Sequence, residues 1–238
     1  MKILLKRSLI IVLAIFLLSA SSGCIETPAA SPALIDEDAL TSYGWSQVED
    51  IEYNTFEQEV SNGTSLTFNS TKATYQNDRL IADIEKQTME FKEEYMLPSD
   101  MQIPTITAQI STNRIALPGK LGIPTKIISK IVDSNVEAMN GQNSIGEFNE
   151  SKKMQLTSNT GAPIYLSRFT AAMPLENSSL KMLGFIAIIE SEEYSTIVYG
   201  TTPNGTLPVK IGSLEADIFS IDGERELDEM IELIRTIE

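Results

Sequence analysis

The chain has 238 residues, of which 33 are acidic and 18 basic, with one cysteine and no histidine. A net charge of −15 argues against nucleic acid as a partner, because phosphate binding needs a basic face. The missing histidine removes the commonest general base and transition-metal ligand, and a lone cysteine forms no internal disulfide. The composition therefore predicts no cofactor and no metal centre.

The first 23 residues have the three parts of an export signal. Lys2, Lys6 and Arg7 form a basic start, an apolar stretch covers residues 9–18, and small residues follow. This stretch has the length of a signal-peptide core, roughly 7–15 residues, and is shorter than the about 20 apolar residues that span a bilayer. We predict that residues 1–23 are a signal peptide.

Cys24 comes directly after the small residues and is the predicted lipid-attachment site. A lipid there would anchor the protein to the outer face of the cell membrane and would account for a lone cysteine in an exported chain. Ser21 stands three residues before the cleavage point, where lipoprotein signals more often have leucine. Two alternatives therefore stay open: ordinary cleavage that frees the product, and an uncleaved helical anchor.

Residues 24–34 are predicted to be a flexible, lipid-anchored tether, because Pro28 and Pro32 lie among small residues. Extended at about 3.1 Å per residue, residues 25–33 would reach on the order of 28 Å and hold the folded part just clear of the lipid headgroups. Residues 35–238 are predicted to form a single globular domain.

The folded part begins with a predicted short helix at residues 36–42, which has acidic side chains at its start. Two strands follow at 46–59 and 65–75, and the Asn-Gly pair at Asn62 predicts a hairpin turn between them. A helix at 78–96 has a periodic apolar face, with Asn77 or Asp78 as its cap.

Next come a strand at 106–115 and a helix at 124–139 with Ile127, Ile128 and Ile131 facing inward. Four strands then follow one another. The third of them is apolar on both faces, which is typical of a central strand covered on both sides. These strands are predicted at 144–156, 162–173, 181–190 and 194–201.

A Gly/Pro-rich loop is predicted at residues 203–218, and Asp222 is the predicted cap of a last helix. Apolar residues of this helix recur at helical spacing and form a stripe that should be buried. They are Leu227, Met230, Ile231, Ile234 and Ile237. The order of elements predicts an α+β fold: a three-layer α/β/α sandwich with a mainly antiparallel sheet and a C-terminal amphipathic helix.

The pattern Asn-x-Ser/Thr occurs five times, and in an exported chain each occurrence is a candidate N-glycosylation site. All five lie in segments whose composition indicates a surface position. The candidate acceptors are Asn62, Asn69, Asn149, Asn177 and Asn204.

Three acidic clusters, at residues 36–38, 49–52 and 190–193, are the densest sets of carboxylates. Two carboxylates could act as the acid and base of a glycosidase, and loop carboxylates could bind calcium. Each cluster lies at the end of an element or in a turn, where solvated charges are the ordinary interpretation. Tyr43, Trp45 and Tyr53 could line a small-molecule cleft, although aromatic side chains more often supply buried core area.

The chain resembles an uncharacterised family of archaeal secreted lipoproteins. The resemblance rests on Gly23-Cys24 after an apolar leader, on Ala39-Leu40 and Tyr43-Gly44-Trp45, and on Ala73-x-Tyr75. A late cluster of strands and the C-terminal helix complete it. The element order is also similar to the PsbP-like sandwich, which is used by small extracytoplasmic accessory lipoproteins. Neither resemblance implies a catalytic residue.

These observations predict a lipid-anchored extracytoplasmic protein of the cell envelope that is a non-catalytic binding or accessory module. Its predicted partners are the membrane, through Cys24, and an envelope protein or small ligand that the sequence does not identify. Two alternatives from other classes are a carboxylate-dependent extracytoplasmic hydrolase and a solute-binding module.

Overall fold

The computed structural model describes residues 28–61, 64–98, 106–116, 149–175, 178–191, 193–211 and 214–238. The predicted signal peptide, Cys24 and the predicted helix at 124–139 lie outside these residues. The helices are α1 (Glu37–Tyr43), α2 (Asp78–Glu94) and α3 (Gly223–Ile234). The strands are β1 (Trp45–Gln47), β2 (Glu52–Ser61), β3 (Thr64–Asn77), β4 (Gln109–Ala116), β5 (Asn149–Thr157), β6 (Pro163–Leu175), β7 (Ser178–Glu190), β8 (Tyr194–Ile211) and β9 (Leu214–Ile221).

The described strands form one sheet in the order β1-β3-β4-β8-β7-β6-β5, with β2 also paired to β3 and β9 paired to β8. Each of these pairs is antiparallel. The prediction of a mainly antiparallel sheet with a C-terminal helix is therefore confirmed. The fold consists mostly of sheet, so the term α+β fits it only loosely.

The helices begin where the sequence predicts, because polar side chains satisfy the first free N–H groups. Asp36 accepts a hydrogen bond from the N–H of Ala39 at 2.8 Å, and Asn77 accepts one from the N–H of Leu80 at 2.9 Å. Asp222 caps α3 in the same way. The predicted caps Asn77 and Asp222 are thus confirmed.

The main core lies between α3 and the centre of the sheet, on what we term the helix face. Met230 of α3 is 0% exposed and packs near Gly200 and Phe185 of the two central strands β8 and β7. All five residues of the predicted α3 stripe are buried, as is Leu233. Burial of such side chains contributes about 1.5–3 kcal/mol each, so this face supplies much of the folding free energy.

The opposite face of the sheet, termed the second face, carries a smaller apolar cluster. Phe68, Ile115 and Ile197 are each 1% exposed or less, and Phe56 stacks on Phe68 with ring centroids 5.5 Å apart. These residues come from neighbouring strands and point away from α3, because side chains alternate along a strand.

The predicted loop at 203–218 is wrong: β8 continues through these residues to Ile211 and pairs with β9. Proline is tolerated in a strand that is paired on one side only, and a register shift accompanies Pro208. Gly205, at φ 96, supplies a backbone conformation that other residues rarely adopt. Prolines and glycine therefore lie in an irregular pair of antiparallel strands here and not in a loop.

The molecule has two distinct ends along the strand direction. At one end β3 continues beyond Ser70, which lies opposite Ile115 of β4, and stays paired with β2. We term this extension, residues 54–61 and 64–70, the β2–β3 arm. At the other end β8 and β9 extend beyond β3, and α2 packs beside them through hydrogen bonds between Gln87 and Ser220.

Candidate functional site

The residues closest in sequence to Cys24 that the structure describes lie against the helix face, and residues 28–36 are termed the N-terminal segment. Its first contacts are made by its main-chain oxygens. The carbonyl of Pro28 accepts from Nδ2 of Asn69 at 3.0 Å, and that of Ser31 accepts from Oγ1 of Thr71 at 3.1 Å. Both donors are on β3, so the segment starts on the β2–β3 arm.

The middle of the segment is part of the core. Ala33 and Ile35 are 2% and 4% exposed. Oγ1 of Thr112 donates to the carbonyl of Ala33 at 2.7 Å, and the hydroxyl of Tyr75 accepts from the N–H of Ile35 at 3.3 Å. Burial raises the pKa of the Tyr75 hydroxyl, with partial opposition from the Ile35 bond, so it stays protonated at neutral pH.

Arg114 on β4 binds the N-terminal segment through its guanidinium group. Its guanidinium donates to the carbonyl of Pro32 at 3.3 Å, to Oγ1 of Thr196 at 3.1 Å and to the main-chain oxygen of Glu238. It also lies 4.0 Å from the ring centre of Tyr194. Arg114 is buried, and although burial lowers its pKa, an arginine remains charged inside proteins. One cation therefore satisfies main-chain oxygens from two remote parts of the chain.

The residues after α3 pair directly with the N-terminal segment. The N–H of Glu238 donates to the carbonyl of Leu34 at 3.3 Å, and the N–H of Asp36 donates to Oγ1 of Thr236 at 3.2 Å. The segment is thus held from three sides: by the sheet, by Arg114 and by residues 236–238.

This packing corrects the predicted flexible tether at 24–34, because residues 28–34 are part of the fold. The contacts escape prediction since they use main-chain carbonyls and one buried alanine, which leave no apolar pattern in the sequence. Only residues 25–27 separate Cys24 from the first described contact at Pro28. Four Cα steps span at most about 14 Å, half the distance expected from a fully free tether.

The predicted glycosylation acceptors lie in different surroundings. Asn69 uses Nδ2 to hold Pro28, and its Oδ1 accepts from Thr55. Oδ1 of Asn204 accepts from the N–H of Gly223 at 3.0 Å, and Asn149 is exposed at the start of β5. A glycan on Nδ2 of Asn69 would replace one of the two amide hydrogens beside Pro28. The other two acceptors, Asn62 and Asn177, lie outside the described residues.

The predicted acidic clusters are exposed wherever the structure describes them. Asp36 is a helix cap, and Glu52 pairs with Lys72 at 2.8 Å on the second face. The bond to Lys72 lowers the pKa of Glu52. Burial acts to lower the pKa of Lys72, but the bond to Glu52 and the charges of Glu52, Tyr199 and Glu49 together outweigh it, so the pKa is raised.

A buried carboxylate that the sequence did not single out lies at the start of α3. Glu226 is 0% exposed and accepts from Nδ2 of Asn77 at 2.6 Å, from Arg225 at 2.7 Å and from Arg79 at 3.0 Å. Arg79 also donates to Glu229 at 2.6 Å. The only sequence signal was an acidic residue in the first turn of a helix, which is ordinarily explained by the helix dipole.

Glu226 and Glu229 form a cluster bound by arginines. Arg79 donates to both side chains, and Arg225 donates to Glu226. The cluster joins the start of α2 to α3. Its arrangement therefore suits a structural connection between the two helices.

The predicted aromatic set does not line one cleft. Trp45 is 4% exposed and part of the core, with Tyr43 partly buried against that core. Tyr53 is 68% exposed. It lies on β2 opposite Thr71, beside the start of the N-terminal segment. For Trp45 the core interpretation is the right one, and Tyr53 is a surface side chain.

Two further properties concern metal and membrane. Among the residues that the structure describes, no three histidine, cysteine, aspartate or glutamate side chains form a group that could hold a metal ion. Within the same residues, no helix has the length and hydrophobicity needed to cross a membrane.

The described residues form a small domain built on an antiparallel sheet. Its N-terminal segment packs on that sheet from Pro28, four residues after Cys24. The chain belongs to the family described as Domain of unknown function (DUF6517), whose model matches residues 32–238. The matched part begins within the N-terminal segment. No curated protein matches the chain, and no solved structure matches it either.

Proposed function

We propose that this protein is a lipid-anchored domain of the cell envelope, held at the outer face of the membrane through Cys24, and that it serves as a non-catalytic binding or accessory module. The observation that carries the proposal is the N-terminal segment, which is fixed to the sheet from Pro28 onward. A lipid on Cys24 would therefore hold the folded domain itself at the membrane.

The sequence supports the same conclusion. A basic start, an apolar stretch and small residues precede Cys24, and the acidic chain gains little attraction from anionic lipid. A covalent anchor supplies what charge does not. The acidity also suits a salty or archaeal setting, and the proposal includes an archaeal lipoprotein with a PsbP-like arrangement.

The chemistry of the described acids favours a binding module over the hydrolase alternative. A glycosidase needs two carboxyl groups facing one cleft, one of them protonated. Glu226 and Glu229 do converge, but on the guanidinium of Arg79, which donates to both of them, and not on a cleft. The described acids of the three predicted clusters are exposed to solvent.

We also propose that a helical layer covers the second face. The sheet would then lie between two layers of helices, as in the predicted three-layer α/β/α arrangement. Side chains on an uncovered sheet keep exposed tips, yet Ile115 and Ile197 are 0% and 1% exposed. The stretch from Ala116 to Asn149 joins β4 to β5 and contains the predicted helix at 124–139. Ile131→Lys should then destabilise the protein by more than about 2 kcal/mol, and Ser134→Lys by much less.

Metabolic labelling with a lipid precursor tests the anchor. The parent and a Thr27→Ser control should incorporate label and sediment with membranes, because both retain Cys24. Cys24→Ser should lose both label and membrane retention. If Cys24→Ser keeps the label and stays with the membrane, lipid attachment at Cys24 is wrong.

A further inference from the structure

The position of Pro28 decides which part of the domain meets the membrane if the proposed lipid anchor is correct. Pro28 is held by Asn69, whose Oδ1 accepts from Thr55 of β2, so the segment starts on the β2–β3 arm. From Pro28 to Ile35 the contacts move along β3 from Asn69 to Tyr75, away from the end of the arm. Followed backward from Ile35, the described segment therefore runs toward the end of the arm and reaches the arm at Pro28.

The length of the link leaves little freedom. Cys24 lies four residues before Pro28 and can be at most about 14 Å from it. From Asn69 to Thr64, where the arm ends on β3, five residues of strand cover about 17 Å. Even a fully extended link therefore does not carry Cys24 beyond the end of the arm.

We propose that the β2–β3 arm is the membrane-facing part of the domain and lies in contact with the lipid headgroups. This proposal rests on the lipid anchor at Cys24 and adds the orientation of the domain. A domain standing with its other end toward the lipid would require a link several times longer.

The surface beside the exit point suits a neutral headgroup layer. Tyr53, 68% exposed, lies on β2 opposite Thr71, and its ring combines an apolar body with a polar hydroxyl, as is common at membrane interfaces. Glu57, two residues nearer the end of the arm than Thr55, is exposed and acidic. Zwitterionic lipid is therefore a better partner than anionic lipid, and the short link supplies the attraction that charge does not.

The opposite end of the molecule should point away from the lipid. Met89 of α2 is 62% exposed and belongs to the end formed by α2, β8 and β9. Strand and helix rise place it on the order of 30–40 Å from Asn69 along the molecule. A probe at this position reports the distal end.

The test uses the full lipidated chain in phosphatidylcholine vesicles that contain a headgroup-spin-labelled lipid. Lipidation consumes the thiol of Cys24, the only cysteine, so a second cysteine can be labelled alone. Glu57→Cys reports the arm, with Tyr53→Cys as a second position there, and Met89→Cys is the distal control. Each carries an environment-sensitive fluorophore, and quenching by the spin label is measured after flotation with the vesicles.

Quenching is expected to be several-fold stronger at positions 57 and 53 than at 89. A long Gly-Ser insertion after Thr27 should reduce the difference while the protein still floats with the vesicles. Equal quenching at all three positions in protein that floats would overturn the orientation and leave the anchor standing. Failure of the parent to float would instead contradict the lipid anchor.

Discussion

Arg114 connects parts of the chain that are distant in sequence. Its guanidinium reaches the carbonyl of Pro32, Oγ1 of Thr196 and the main-chain oxygen of Glu238, all on the helix face of the sheet. One planar cation with several N–H groups suits this position, because it can donate to several oxygens at once. Arg114 therefore connects the N-terminal segment to the residues after α3.

Replacing the buried Arg114 with methionine should destabilise the protein by about 3 kcal/mol, because two partly buried main-chain oxygens lose a charged donor. Urea unfolding of the purified protein measures the change. Lys152→Met, an exposed substitution on β5, should shift the free energy of unfolding by no more than about 0.5 kcal/mol. Equal effects of the two substitutions would show that Arg114 does not hold the segment.

Tyr75 gives the segment a dependence on alkaline pH. Burial raises the pKa of its hydroxyl, so the unfolded chain releases this proton at lower pH than the folded protein does. The unfolded state then binds fewer protons, and stability falls as the pH rises above about 10, the ordinary tyrosine value. Tyr75→Phe should lower stability by about 1 kcal/mol at neutral pH and should flatten part of the alkaline fall.

Unfolding measured at pH 7 reports the stability lost with the Tyr75 hydrogen bond, and unfolding measured above pH 10 reports the change in pH dependence. A Tyr75→Phe protein whose stability falls as steeply as that of the parent would contradict the assignment of this pH dependence to Tyr75.

At the scale of elements, the connection between α1 and α2 depends on Gly44. This residue ends α1 at φ 73, and a Cβ there would lie 2.8 Å from Cβ of Arg79. Gly161 has φ 90, but a Cβ there would meet no atom within 4 Å. Comparing alanine substitutions at Gly44 and Gly161 therefore separates the cost of backbone strain from the cost of steric overlap.

Gly161→Ala should cost about 1 kcal/mol from the left-handed backbone alone, whereas Gly44→Ala should cost about 1–3 kcal/mol more. Thermal or urea unfolding of both variants measures the difference. Equal costs would mean that α2 shifts freely to make room at Arg79.

Glu226 joins α3 to the start of α2, through Asn77 and Arg79. Glu226→Gln should destabilise the protein by about 3 kcal/mol, because two arginines lose a fully buried charge partner. Glu224→Gln, with a side chain 61% exposed, should change stability by about 0.5 kcal/mol or less. Similar unfolding midpoints for the two variants would contradict the structural role of Glu226.

Local signals in the sequence were sufficient for the three helices that the structure describes and for most of the described strands. Asn77 and Asp222 cap helices as predicted, because a polar residue before an apolar periodic stretch acts over one turn. The loop predicted at 203–218 was wrong because Pro208 and Gly205 are also compatible with a strand paired on one side. The order of the strands depends on pairing between distant residues, which local patterns do not contain.

For the whole molecule, the packed part of the N-terminal segment could not be predicted from the sequence. Lipid attachment at Cys24 remains a prediction from a leader pattern confined to adjacent residues. The packing of Ala33 and of the carbonyls of Pro28 and Pro32 depends on donors located elsewhere in the sequence, on β3 and β4. Proline among small residues is compatible with a flexible tether and with a segment packed on the sheet, so the sequence alone could not decide between these two arrangements.

The packing of residues 28–34 on the sheet leaves a short link to Cys24. With the proposed lipid on Cys24, this link would restrict rotation of the domain about its anchor. A longer free tether would let every face of the domain meet partners in turn, whereas a short link would present one end to the lipid and the other outward.

The central claim is that the mature chain begins at Cys24 and carries a lipid on that residue. Intact-mass spectrometry of the protein extracted from membranes tests it most directly, with Cys24→Ser measured in parallel. We predict a mass that lacks residues 1–23 and includes added lipid, and no such species for Cys24→Ser. A mass that retains residues 1–23, or one that matches an unmodified chain starting at residue 24, would contradict the claim.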